Sequence, residues 1–304
     1  MSRLIKSPST KRELPIMLLI ALFLLIPLFA TSQNNIEFYQ TSWGKDTNFS
    51  EFCKQAKKDG YAGIETRLPE SNKVEQEELK KALKDTNLKL IVQAYVNTNV
   101  PIDEALLLYE ELIELAVSFN AEMINSHTGH DFFSVEDNMK FINLAKQLSE
   151  KHHIPIYHET HRSRMNYSVP VTNHYLSLDD QFMLTLDISH WMVVHESLLE
   201  GKDDFLTEIL DRTRLIHARV GHYEGPQVND PRAPEWKKAV DRHMDIWEEI
   251  IRKTWSRGET MKITTEFGPA GYLPTLPYTQ QPVSDQWEAN LFIMKAIKER
   301  MKID

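Results

Sequence analysis

Residues 154–160 read IPIYHET, 182–189 FMLTLDIS, 215–221 LIHARVG and 262–268 KITTEFG. Each is a short, mostly apolar run that closes on a metal-competent side chain: Glu159, Asp187, His217 and Glu266. A strand buried on both faces reads as such a run, and its polar end marks where the chain emerges into solvent or a cavity. Four earlier runs have the same character: IEFYQTS (36–42), AGIET (62–66), LKLIVQAYV (88–96) and AEMINSH (121–127).

Helical patterns fill the intervals. Leu106, Leu107, Leu108, Leu112 and Leu115 fall within 103–119, and Phe141, Ile142, Ala145 and Leu148 follow Ser134, a residue type suited to an N-cap. Residues 46–59, 74–86, 198–213, 234–255 and 285–301 carry similar spacing. Between the fifth and sixth runs only 171–178 looks helical. Strands alternating with helices predict parallel βαβ units. Eight such units predict a closed (β/α)8 TIM barrel in one domain. A doubly wound sheet opens on a Gly-rich phosphate loop, whereas TSWGKDTNF (41–49) after the first strand has no G-x-G-x-x-G.

The barrel is expected to span 33–304. Before it, Arg3, Lys6, Lys11 and Arg12 precede an apolar run over 16–29 and the small residues Ala30, Thr31 and Ser32. Basic start, short apolar stretch and small residues form the three-part pattern of a secretory signal peptide, here 1–32. The run is shorter than the roughly 20 residues that cross a bilayer, so an uncleaved anchor is the weaker reading. The expectation is export to a periplasmic or extracellular space, with membrane contact only during export.

The 304 residues are 41% apolar and 26% charged, which excludes a disordered or collagen-like chain. Cys53 is the sole cysteine, so no internal disulfide forms; Phe52 and Ala56 flank it in a helical pattern that would bury it. The formal charge is −9, and removing 1–32 takes away four basic side chains and one acidic one, leaving −12. Phosphate backbones are held by a surplus of Lys and Arg, so nucleic acid is not an expected partner.

The active site of such a barrel lies at the C-terminal ends of its strands, where alternate residues face inward. Three carboxylates in one cavity repel unless a cation or proton compensates. One divalent ion (Mn, Co, Mg, Fe or Zn) held by Glu159, Asp187, His217 and Glu266 resolves the conflict, because oxygen-rich sets with one imidazole suit these metals. His190, three residues after Asp187, and Arg219, two after His217, reach the same mouth as candidate substrate contacts. His127, at the end of the fourth strand, is a third candidate. Loop or supporting roles are open for His130, His161, His195 and His222, while His152, His153 and His174 read as surface. Trp43 and Tyr95 stand where they could form a wall against a sugar face or simply fill core.

The order Glu159, Asp187-x-x-His190, His217, Glu266 on four successive strands resembles the xylose isomerase-like TIM-barrel superfamily, in particular its sugar isomerase/epimerase branch. The resemblance runs from about Ile36 to Ile303. It implies that these four residues are the metal ligands, that His190 contacts substrate, and that Glu159 and Glu266 serve as acid and base on opposite substrate faces. It further implies a metal-dependent sugar isomerase or epimerase that works through an enediolate. Elimination by a lyase shares the first step, and a metal-dependent hydrolase or a non-catalytic carbohydrate-binding barrel are the remaining readings. Members of this superfamily include dimers and tetramers, so a homo-oligomer is admitted.

Two features adjust these expectations. No basic phosphate-gripping cluster is visible in the sequence, which together with export points to an unphosphorylated small-molecule sugar, sugar acid or keto-glycoside. Long Pro-rich loops follow the seventh and eighth strands and offer Tyr223, Tyr272 and Tyr278 for stacking over the barrel mouth.

Overall fold

A computed structural model describes Met1 and residues 35–97 and 99–303; the expected signal segment, apart from Met1, lies outside them. The strands are β1 (Ile36–Thr41), β2 (Gly63–Thr66), β3 (Lys89–Tyr95), β4 (Met123–His127), β5 (Ile156–Glu159), β6 (Leu184–Leu186), β7 (Thr213–Ala218) and β8 (Met261–Thr265). Each pairs in parallel with the next, and β8 returns to β1, so the sheet is a closed barrel. The helices are α1 (Phe49–Lys58), α2 (Lys73–Thr86), α3 (Ile102–Ser118), α4 (Val135–His152), α5 (Val169–Leu178), α6 (Ile188–Val194), α7 (Asp203–Arg212), α8 (Lys237–Ser256) and α9 (Gln286–Met301).

Strand parity sorts the side chains. Ile64, Val92, Ile124, Leu186, Ile216 and Ile263 face outward into the main apolar core against the helices. Tyr39, Ile91, Met123 and Leu215 form a separate small cluster inside the barrel, with Tyr157 packed on it. These inner residues plug the N-terminal half. Two residues further along several strands, inward parity delivers Gln93, Asn125, Glu159 and His217, so the polar layer sits directly on the apolar plug. The closed plug keeps this layer accessible from the C-terminal side.

The caps follow local chemistry. Ser134 accepts from the Asp137 backbone N–H and starts α4, as its residue type predicts. Asn48 caps α1 in the same way, so that helix begins at Phe49 rather than Asp46. Two expectations need correction. The sixth strand stops at Leu186 because the Asp187 side chain accepts the Ser189 N–H and opens α6, a helix the apolar run concealed. The helix expected from 198 begins at Asp203, because Leu199 and Gly201 adopt positive φ in a turn before it. Among the described residues no helix is long and apolar enough to cross a membrane.

Candidate active site

Glu159, Asp187, His217 and Glu266 converge at the mouth, with one ligand atom from each lying within 4.8 Å of all the others. All four are buried. Each comes from an end of β5, β6, β7 or β8, the placement expected from the sequence. His217 Nδ1 lies 2.9 Å from Glu266 Oε2 and 3.8 Å from Glu159 Oε1. Neither His217 Nδ1 nor Glu266 Oε2 makes a well-formed hydrogen bond among the described residues, although both are buried. Two adjacent orphaned donor atoms within an acidic cluster are what a coordinating cation satisfies, so this set fits a divalent ion.

The other nitrogen of His217 is fixed from the far side of the barrel. Its Nε2 lies 3.0 and 3.1 Å from the two oxygens of Glu65, on β2. Thr264 Oγ1 donates to Glu65 at 2.5 Å, and Asn125 Nδ2 donates to it at 2.8 Å. With Nε2–H donating to Glu65, Nδ1 is the atom that turns toward the cluster, an arrangement common in metal-binding histidines. Asn125 Nδ2 also donates to Glu159 Oε2 at 2.7 Å, leaving Oε1 to face the cluster. Burial pushes the Glu159 carboxyl up, reinforced by the Glu266 and Asp187 charges, while His217 opposes it. Without a bound ion, burial would raise Glu266 too, but Arg219 and a His217 held protonated against its burial by Glu266, Glu65 and Glu159 outweigh it and hold this carboxyl low.

Arg219 shares inward parity with His217. Its guanidinium contacts Asp187 Oδ2 directly and lies 3.7 Å from Glu266 and 2.7 Å from His190 Nε2. Arg162 meets the other His190 nitrogen at 2.9 Å. Burial, aided by the charges of His161, Arg219 and Arg162, holds His190 well below the ordinary imidazole range, so the ring is neutral. A neutral imidazole accepts at one nitrogen only, so one of the two guanidinium contacts sets N–H against N–H.

His127 is buried and presents Nε2 to Glu159 Oε1 at 3.6 Å. Arg164 Nε donates to its Nδ1 at 3.0 Å, which places the ring proton on Nε2. His127, Glu159 and His161 are also close enough to share an ion. Arg164 donating to His127, and the charges of Arg219, Arg162 and Arg164 acting on His161, oppose a second cation there.

A cavity of about 550 Å³ opens over the cluster, lined among others by Trp43, Tyr95, His127, Glu159, Arg219, Glu266 and Tyr272. Such a volume is in the range of small-molecule sites. Tyr272 packs edge-on to Trp43 with centroids 4.9 Å apart and covers the Arg219 guanidinium at 4.7 Å. Trp43 lies against Gly268, where a Cβ would come within 2.3 Å of the indole, so only glycine admits the ring in this position.

Residues whose roles the sequence left open, and two of the loop tyrosines, lie away from the cluster. His195 Nε2 accepts from the Val169 N–H at the start of α5, and His130 accepts the Phe132 N–H in its own loop. His222 packs on Trp236, while Tyr223 and Tyr278 are exposed and do not line the cavity. Glu65 and Asn125 join the site although the strand-end reading of the last four strands passes over them. Glu65 carries the same signal as Glu159, an acidic residue near the end of a β-type run. Two arginines distant in sequence also meet at the cavity: Arg67 and Arg164 both rest on the Tyr95 ring, with Cζ 4.0 and 4.5 Å from its centroid.

An eight-stranded parallel barrel with a carboxylate–imidazole cluster at its C-terminal mouth is a (β/α)8 barrel. The chain belongs to the xylose isomerase-like TIM barrel family, whose model matches residues 53–254. D-allulose 3-epimerase from Methylomonas sp., solved with D-allulose, is 16% identical, with 88% of this chain and 97% of that chain covered at a TM-score of 0.61. The 3-keto-D-glucoside 4-epimerase of E. coli is 14% identical, covering 87% of this chain and 100% of that one at 0.59. A xylose isomerase-like TIM barrel protein from Mycobacterium smegmatis, solved with magnesium, is 14% identical, covering 87% and 97% at 0.58. At these identities the likeness carries the fold alone. No curated protein sequence matches the chain.

Proposed function

We propose that this protein is an exported, divalent-metal-dependent sugar isomerase or epimerase that moves a proton through an enediolate, with 1–32 as its signal peptide and 33–304 as its catalytic barrel. The observation that carries the reading is the convergence of Glu159, Asp187, His217 and Glu266 beneath a cavity of sugar size. These four residues would hold one ion (Mn, Co, Mg, Fe or Zn), which supplies the Lewis acidity that loosens the C–H beside a sugar carbonyl.

The protein's own groups do the rest. Glu65 and Asn125 fix the orientation of His217 and Glu159 before substrate arrives, so little reorganisation is needed during reaction. One of Glu159 and Glu266 removes the proton, and the other returns one from the opposite side. Return to the same carbon inverts it; return to the neighbouring carbon exchanges aldose for ketose. Arg219 lines the cavity beside Asp187, where its N–H groups can stabilise charge developing on the enediolate oxygens, and His190 packs against its guanidinium. Trp43 and Tyr272 supply the apolar wall for a sugar face. Candidate sugars incubated with the Mn²⁺-supplemented protein in D2O test the proposal. Deuterium entering beside the carbonyl supports it, whereas bond cleavage without exchange refutes it in favour of hydrolysis.

A further inference from the structure

Arg164 is 4% exposed, yet no carboxylate among the described residues lies within ion-pair distance of it. Its Nε donates to the neutral His127, and one terminal nitrogen reaches the Gly129 carbonyl at 3.4 Å. The other terminal nitrogen has no protein partner among the described residues. Arg67 stands exposed at the cavity rim: its Nε donates to Gln93 Oε1 at 3.1 Å, and neither terminal nitrogen meets a protein acceptor among the described residues. Both residues line the cavity, and both press on Tyr95. A buried guanidinium such as Arg164 is costly to leave without a counter-charge, and the Arg67 charge on the same ring adds repulsion. Cation–π contact with Tyr95 offsets part of this cost and holds the two forks in place.

Their position relates them to the reaction. Arg164 is separated from Glu159 by the width of the His127 imidazole. Arg67 is separated from Glu159 by the Gln93 amide, whose Nε2 lies 3.5 Å from Glu159 Oε2. A group bound by both forks therefore lies in the same cavity as Glu159, with His127 and Gln93 between them. We infer that Arg67 and Arg164 form an oxyanion subsite, and that the substrate is a sugar bearing a negatively charged group, carboxylate or phosphate, remote from the reacting carbonyl. The subsite deepens the isomerase reading and rests on it for the reaction, although not for the binding.

The test is titration calorimetry of the Mn²⁺-supplemented protein with D-glucuronate, D-glucose 6-phosphate and D-glucose. At least one charged sugar should bind about 10- to 100-fold more tightly than D-glucose, as charge-assisted bonds to a guanidinium allow. A preference for glucuronate assigns the carboxylate, and a preference for the phosphate assigns that group. Arg67→Gln and Arg164→Gln should each reduce the preference at least about tenfold. If the buried Arg164→Gln does not fold, the more exposed Arg67→Gln decides alone. Equal or undetectable binding of all three sugars, or a preference that survives Arg67→Gln, overturns the inference. Charge preference without exchange in D2O removes the isomerase reading and leaves the subsite; exchange without charge preference does the reverse.

Discussion

Glu65 on β2 grips His217 on β7 from across the barrel, with both carboxylate oxygens within 3.1 Å of Nε2. The contact selects which imidazole nitrogen turns to the acidic cluster. Glu65→Gln removes the acceptor charge and presents either an amide oxygen or an amide N–H to Nε2. We expect the mutation to weaken Mn²⁺ or Zn²⁺ affinity by about 10- to 100-fold while the fold persists. Competition against a chromogenic chelator measures this directly, and unchanged affinity would remove Glu65 from the site's supporting shell.

The four-residue cluster should hold one divalent ion per chain, measurable by elemental analysis after dialysis against Mn²⁺, Co²⁺ or Zn²⁺. Glu266→Gln should abolish turnover, because under the proposed function it removes both a charged ligand and one of the two proton-transfer groups. A cluster that stays empty under all three metals sinks the proposed mechanism.

Arg219 contacts Asp187 and approaches Glu266 in a fully buried position. Replacing it by Gln leaves these carboxylates without their fixed counter-charge, a change that costs about 3–5 kcal/mol for buried pairs. Urea denaturation of Arg219→Gln should show a loss of that order without added metal. Saturating Mn²⁺ should recover part of it by supplying positive charge and by binding only the folded chain.

His243 on α8 donates from Nδ1 to the Ala239 carbonyl and accepts at Nε2 from the Gly221 N–H, so it is built to be neutral. Burial holds it down to about 4, and burial alone takes His158 to about 3. The folded state thus binds fewer protons than the unfolded chain between the ordinary histidine range and about pH 4. Stability is full above about pH 6.5 and declines as pH falls through that window. His243 alone contributes a loss on the order of 3 kcal/mol by pH 4. His243→Gln should flatten the pH dependence of urea midpoints between pH 6.5 and 4; an unchanged slope would exclude His243 as its source.

Much of the site is legible along the chain because inward parity and strand ends are local properties. Glu159, Asp187, His217 and Glu266 each close a run whose apolar lead-in announces a buried strand, and all four meet. Arg219 follows His217 at the same parity and lands beside Asp187. The sixth strand misleads because apolar residues continue past Asp187, and only the capping bond to Ser189 shows that a helix has begun. His195 and His222 are indistinguishable from mouth residues by composition, since their partners, the Val169 N–H and Trp236, are set by loop paths.

The sequence by itself determined the alternation of strand and helix, hence the barrel, and the four acidic and imidazole groups at its mouth. Periodicity and strand polarity are written within a few residues of each position. Tertiary structure alone decided that Glu65 orients His217, 152 positions away, and that Arg67 and Arg164 meet on Tyr95. Closure of the sheet is the reason: it brings the ends of non-neighbouring strands into one cavity, where contacts depend on angular position around the barrel and not on distance along the chain.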